Sequence, residues 1–295
     1  MTQRALRIAT RGSDLARWQA NHIASLLGAD VELVVVDTTG DRRANESIAS
    51  LGGKGVFVKE VQAAVLDGRA DIAVHSAKDL PSQTFDGLVL AAVPQRGDAR
   101  DALVGSALAD LPPGALVATG SARRRAQLAD VRPDLTFAGL RGNILTRLEK
   151  AADYDAIVVA AVALERLGLE AKIAEILPTT LMLPQVGQGA LAVECRDGDH
   201  ETRGRLADIE HRDSRRAVDA ERAFLAELGG DCDLPAGAYA VTVAGAMLAI
   251  DGLLASLDGR IILRHRAQGA DPEPLGREVA RHLLTEAGGR EVLEL

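Results

Sequence analysis

At 295 residues, with 47% hydrophobic and 26% charged side chains, the chain has the composition of an ordinary globular protein of two or three domains. Aromatic residues supply only 2% and the net charge is −8, so base-stacking platforms are scarce and a polyanionic duplex is repelled; nucleic acid is set aside as a partner. No apolar signal region follows Met1 and no apolar run reaches membrane-spanning length, which predicts a cytoplasmic protein with no membrane partner.

In chain order, Leu6 to Thr10 reads as a strand and Asp14 to Leu27 as a helix whose stripe is Leu15, Trp18, Ala20, Ile23 and Leu26, ended by Gly28. Val31 to Val36 is a second strand, 58–67 a helix, and Ile72 to Val74 a third, fully apolar strand. The order β-α-β-α-β predicts a doubly wound lobe. The pattern repeats with strands at 115–118, 135–139 and 155–161 and helices at 122–129 and 143–152. Pro94-Gln-Arg-Gly97 and Pro184-Gln-Val-Gly187 share one form and read as a pair of hinge segments between the lobes, with 190–194 a strand rejoining the first. Two hinged lobes enclose a cleft, a common ligand position. The last third differs: a helix over 215–228, extended segments near 238–244, 247–256 and 260–267, an Asp258-Gly259 hairpin signal, and a helix over 273–287. The fold class is therefore α/β, two doubly wound lobes joined by two hinges, plus a small C-terminal α+β domain with a three-stranded antiparallel sheet. The boundaries are 1–95 with 189–208, 98–185, and 212–295.

Chemistry gathers where apolar strands end. After Val74 the chain turns to His75, Ser76, Lys78 and Asp79, and Pro81 stops the run. Thr10-Arg-Gly-Ser13 and Thr119-Gly-Ser121 each open a helix with a capping serine, where free N–H groups and the helix dipole favour an anion. Arg11 stands at the first junction, Arg123, Arg124 and Arg125 at the second, and Arg141, Asn143 and Arg147 follow another strand. A planar guanidinium suits carboxylates and phosphates, so these cations predict a basic cleft for a small polyanion. Gly53-Lys54-Gly55 lacks the spacing of a nucleotide P-loop, and Gly187-Gln-Gly189 leads into a strand rather than a helix, so both nucleotide motifs are rejected. The six histidines show no metal-ligand spacing, and no metal is expected. His75 is as readily a hydrogen-bonded structural residue as a functional one.

The two cysteines form neither a metal pair nor a redox motif. Cys195 ends an apolar run and reads as an inert buried thiol. Cys232 lies in a loop between Asp231 and Asp233, which oppose thiolate formation; the residues leave open reaction with a strong electrophile or no role.

The segments ATRGSDLARWQA, GGKGVFVKE, DIAVHSAKDLP, TGSARRRAQL, LRGNILTRLE, LERLGL, PQVGQGALAVECR and CDLPAGAYA follow one another as in the porphobilinogen deaminases, and the chain resembles that family over essentially its whole length. The resemblance implies three domains, the first two like type II periplasmic binding proteins, and a monomer. It implies a transferase that joins four porphobilinogen molecules head to tail, releasing ammonia at each step, in tetrapyrrole biosynthesis. The primer it implies is a dipyrromethane held by thioether to Cys232, with Asp79 as the catalytic carboxylate. It implies cofactor contacts from Ser13, Lys78, Thr119, Ser121, Arg123, Arg124, Gly142, Asn143 and Gln188. Substrate contacts are implied for Arg11, Gln19, Lys54, Phe57, Arg141, Arg147 and Arg166. Asp231, where the family usually has glycine, and Ser50, where a lysine is frequent, are departures from its pattern.

Overall fold

The computed structural model describes residues 4–28, 30–39, 57–229, 234–256 and 258–293. The chain divides into two compact units, 1–97 with 190–215 and 98–189 with 216–295.

The first unit is one five-stranded sheet. Its strands are β1 (Leu6–Arg11), β2 (Val31–Val36), β3 (Ile72–Ser76), β4 (Leu88–Ala92) and β10 (Leu191–Arg196), in the order β2-β1-β3-β10-β4. β1, β2 and β3 are parallel, with Leu6 opposite Val31 and Ile8 opposite Ile72. β10 runs antiparallel to both β3 and β4. The lobe is thus mixed rather than wholly parallel, because the strand between β3 and β4 returns from beyond residue 189. Ile8, Ile72, Val74 and Val193 pack on one face against Ala20 and Ile23 of α1 (Asp14–Leu27) and Leu206 of α6 (His200–Ala207). Ala9 and Ala73 meet Val61, Ala64 and Val65 of α2 (Lys59–Leu66) on the other. α1 stops where expected: Gly28 sits at φ 56°, a left-handed conformation that costs glycine nothing.

The second unit repeats that plan. β5 (Asp101–Val104), β6 (Leu116–Ala118), β7 (Thr136–Ala138), β8 (Ala156–Ala160) and β9 (Ile173–Leu177) run in the order β7-β6-β8-β5-β9. Again three strands are parallel, and β5 lies antiparallel between β8 and β9. α3 (Ala122–Val131) contributes Leu128 to one face; α4 (Ile144–Glu149) and α5 (Ala161–Glu165) cover the other with Ile144, Leu148 and Leu164.

The same unit carries the third sheet, a meander of β11 (Ala236–Thr242), β12 (Leu248–Ala255) and β13 (Ile262–Gly269). Phe224 of α7 (Arg212–Glu227) and Val279 of α8 (Pro272–Arg281) are fully buried against Ile250 and Leu254. The expected 273–287 helix changes pitch at His282–Glu286, and α9 (Gly289–Leu293) follows. The two lobes and the three-stranded antiparallel sheet are as the sequence leads one to expect.

Candidate active site

In the first unit the carboxyl ends of the parallel strands carry the chemistry-bearing residues. β1 delivers Arg11, whose guanidinium carbon stands 4.2 Å from the centroid of the Phe57 ring. Two residues on, half-buried Ser13 caps α1, its hydroxyl accepting from the Ala16 N–H at 3.3 Å. Gln19 is buried on the same helix. β3 ends at Ser76 and passes into a single tight turn, Ala77–Asp79, pinned by the Ala77 N–H donating to Ala190 O at 3.0 Å. Lys78 and Asp79 sit half-buried on that turn. The Asp79 carboxylate has no hydrogen-bond or ion-pair partner among the described residues.

His75, on β3 just before that turn, is 5% exposed. Its Nε2 is 3.1 Å from Oε2 of Glu194, close enough for an ionic contact but off the line of a hydrogen bond. The Gln62 amide donates to both oxygens of the same carboxylate at 3.2 and 2.9 Å. Of the two readings left open for His75, this buried trio under α2 matches the structural one. Glu194 was a missed signal: a carboxylate inside an otherwise apolar strand needs a partner.

In the second unit Ser121 caps α3 by accepting from the Arg124 N–H at 3.4 Å, and the Ser121 N–H donates to the hydroxyl of buried Thr119 at 3.2 Å. Gly142 stands at φ 113°, and a Cβ there would lie 2.7 Å from Thr146 Cγ2, so the bend after β7 requires glycine. Asn143 caps α4 through the Thr146 N–H at 2.9 Å, and Arg147 Nε donates to Gly142 O at 2.8 Å. Arg141 is half-buried at this bend.

Arg123 and Arg124 are 2% and 6% exposed, and one carboxylate holds both. Asp101, fully buried at the head of β5, accepts from Arg123 Nη2 at 2.8 Å and from Arg124 Nε and Nη2 at 3.0 and 2.7 Å. The buried Gln188 amide donates to the same Asp101 at 2.8 Å and to Ala99 O at 2.7 Å. Burial pushes the Asp101 carboxyl up, but Arg123 and Arg124 outweigh it and hold the group well below the usual carboxylate range. Burial lowers the pKa of Arg123, with Asp101 opposing. Arg166, also buried, donates to Gly189 O at 2.8 Å, and burial brings it down to about 10, so it remains a cation at neutral pH. Asp101 escaped the sequence reading, although an acid opening an apolar run in a chain with an arginine triplet is a reason to look.

A third knot in this unit is Glu221 of α7. It is fully buried and bridges two backbones, accepting from the Gly187 N–H at 2.7 Å and the Ala240 N–H at 2.9 Å. Gly237 of β11 lies so near that an added Cβ would come 2.7 Å from Pro184 O and 3.1 Å from Arg123 Cδ. Cys195 is buried as expected, and burial, with Asp199 next, pushes its thiol up to about 11. Lys54 and Cys232, with Ser50 and Asp231, lie outside the described residues. No helix among the described residues is long and apolar enough to cross a membrane.

Two lobes of one topology, each with polar and charged residues at the carboxyl ends of its parallel strands, define a ligand-binding α/β protein. Comparison with known proteins narrows the class. Residues 6–204 match the family "Porphobilinogen deaminase, dipyromethane cofactor binding domain" and residues 216–285 match "Porphobilinogen deaminase, C-terminal domain". The porphobilinogen deaminase of Syntrophomonas wolfei is 46% identical over 297 residues, covering 97% of each chain. That of Brevibacillus brevis is 43% identical over 299 residues, covering 98% of this chain and 97% of its own. Among solved structures, an ancestral cationic amino acid solute-binding protein covers 68% of this chain and 86% of its own at 15% identity and a TM-score of 0.39, too slight a likeness to bear on the fold. The chain belongs to the porphobilinogen deaminase family, enzymes of the transferase class.

Proposed function

We propose that Asp79 is the catalytic carboxylate of a deaminating condensation in which four porphobilinogen molecules are joined head to tail to hydroxymethylbilane. The observation that carries this is the state of Asp79: half-buried at a strand end, with no partner among the described residues, whereas Asp101, Glu194 and Glu221 are each committed to hydrogen bonds. An uncommitted carboxylate is free to accept the pyrrole N–H. As the aminomethyl C–N bond breaks and ammonia leaves, positive charge develops on the substrate as an azafulvene cation, and Asp79 stabilises it. The same group can carry a proton between ring and leaving amine.

The family's cofactor domain calls for a dipyrromethane, and the Arg123–Arg124 cluster fits a group bearing carboxylates. Two guanidiniums face one Asp101, which leaves one unit of positive charge, and Arg123 Nε is buried with no acceptor among the described residues. When bound, the dipyrromethane supplies the nucleophilic pyrrole carbon from which the chain grows. We place its thioether at Cys232 and its carboxylates at Lys78, Arg123 and Arg124. Ser13, Thr119, Ser121, Gly142, Asn143 and Gln188 complete its contacts. Arg11, Gln19, Lys54, Phe57, Arg141, Arg147 and Arg166 receive porphobilinogen, whose acetate and propionate call for fixed cations. The reading includes three domains (1–95 with 189–208, 98–185 and 212–295) in a cytoplasmic monomer that acts on a small molecule.

Intact mass tests it. The purified protein is expected to be heavier than its sequence by two linked pyrrole units, and Cys232→Ser to lack that increment. Asp79→Ala is expected to fold and to lose turnover; wild-type rate in that variant would overturn the assignment.

A further inference from the structure

Asp101 gathers three residues from two separate stretches of chain. Arg123 and Arg124 lie on α3 and Gln188 follows the second Pro-Gln-x-Gly segment, yet all three donate to this one carboxylate, which is itself wholly inaccessible. Around it the remaining contacts are backbone carbonyls: Leu183 O takes Arg123 Nη1, and Val158 O takes Arg124 Nη1 at 3.0 Å. A guanidinium carries five N–H donors, two on each terminal nitrogen. Once these bonds are drawn, each arginine keeps one N–H on either terminal nitrogen that no described residue accepts, donors of the kind that bind a carboxylate. Two like charges side by side in a buried site repel, and Asp101 is what holds them adjacent. It also offsets one of the two charges.

We propose that Asp101 is a positioning residue for carboxylate recognition: it assembles Arg123, Arg124 and Gln188 into one cluster and limits that cluster to a single further carboxylate. The ligand class is a pyrrole acetate or propionate, and the inference rests on the reading that these three residues hold the dipyrromethane. Its role is exerted through them, since Asp101 itself touches no ligand.

The test uses the full chain purified from cells, with the fraction carrying the covalent adduct read by intact mass. Asp101→Ala is expected to lower that fraction by about tenfold or more, the scale set by one charge-assisted pair. Formate, a carboxylate small enough for the space left, is expected to restore it when present during loading. Asp101→Asn keeps the volume, leaves no such space, and is expected to load poorly with or without formate. With two cations no longer offset, its residual activity is expected to be inhibited by inorganic sulfate at lower concentration than wild type. Wild-type loading in both variants overturns the proposal. So does a folded Asp101→Ala that formate does not help. Failure of both variants to fold, with formate or without, assigns Asp101 to the fold alone and overturns it equally. A wild-type protein without any adduct is a different result, because it removes the reading of the site before Asp101 is in question.

Discussion

Replacing Glu221 with glutamine changes one atom and should unsettle two strands of backbone at once. The carboxylate accepts from Gly187 at 2.7 Å and from Ala240 at 2.9 Å, in a site with no solvent access. Each is a charge-assisted bond worth about 1.5–3 kcal/mol. Glutamine keeps an acceptor for one N–H at the strength of a neutral bond. It turns an NH2 group toward the other, which leaves a buried donor unsatisfied at a cost of about 1–3 kcal/mol. The loss then comes to about 2–5 kcal/mol, or a fall of about 5–15 °C in melting temperature. Thermal unfolding followed by far-UV circular dichroism, with a urea titration beside it, reads this directly. A melting point within about 1 °C of wild type would show that the bridge contributes nothing and that Gly187 and Ala240 find other acceptors.

Two more outcomes follow from buried charge and burial itself. Asp71 accepts from Arg4 Nη2 at 2.8 Å, Arg7 Nη2 at 2.8 Å and the Arg7 N–H at 2.9 Å; burial pushes its carboxyl up, but these donors hold it far below the ordinary range. A carboxyl whose folded pKa is depressed stabilises above its unfolded value of about 3.9 and loses that contribution as pH falls toward the folded value. Asp71→Asn should therefore lower stability at neutral pH and flatten its decline below about pH 4; an acid limb as steep as that of wild type would contradict the pairing. Cys195, pushed up to about 11 by burial, should react with a thiol reagent at pH 8 at least about a hundredfold more slowly in the folded protein than in urea. Fast labelling at position 195 in the native state would refute its burial.

What the sequence disclosed follows the range over which the causes act. The parallel strands 6–10, 31–36 and 72–74 could be read because each is a short apolar run bounded by turn residues, and the helices because their stripes repeat locally. β4, β5 and β9 were not read. Leu88–Ala92, Asp101–Val104 and Ile173–Leu177 are short, lack clean alternation, and become strands by pairing with β10, β8 and β5 from elsewhere in the chain. The site divides in the same way. Ser13 and Ser121 announce themselves as caps by position, and the structure gives each a backbone N–H partner three residues on; Asn143 proves to cap its helix in the same way. The arginine triplet announces positive charge at a strand end, but nothing within its own segment says that Asp101 lies beneath it. The same holds for Glu194 beside His75, whose residues stand 119 positions apart in sequence (194 − 75) and meet only through the register of β3 and β10.

The shared strand order has a consequence for how the molecule is made on a ribosome. All five strands of the second sheet lie between Asp101 and Leu177, so that sheet can close as soon as its own stretch has emerged. The first sheet cannot. Among the described residues β4 pairs with β10 alone, so Leu88–Ala92 waits with an open edge until Leu191–Arg196 arrives. Of the two five-stranded sheets the N-terminal one is therefore the later to finish, and during synthesis a chaperone would find an exposed apolar edge on it rather than on the sheet that follows.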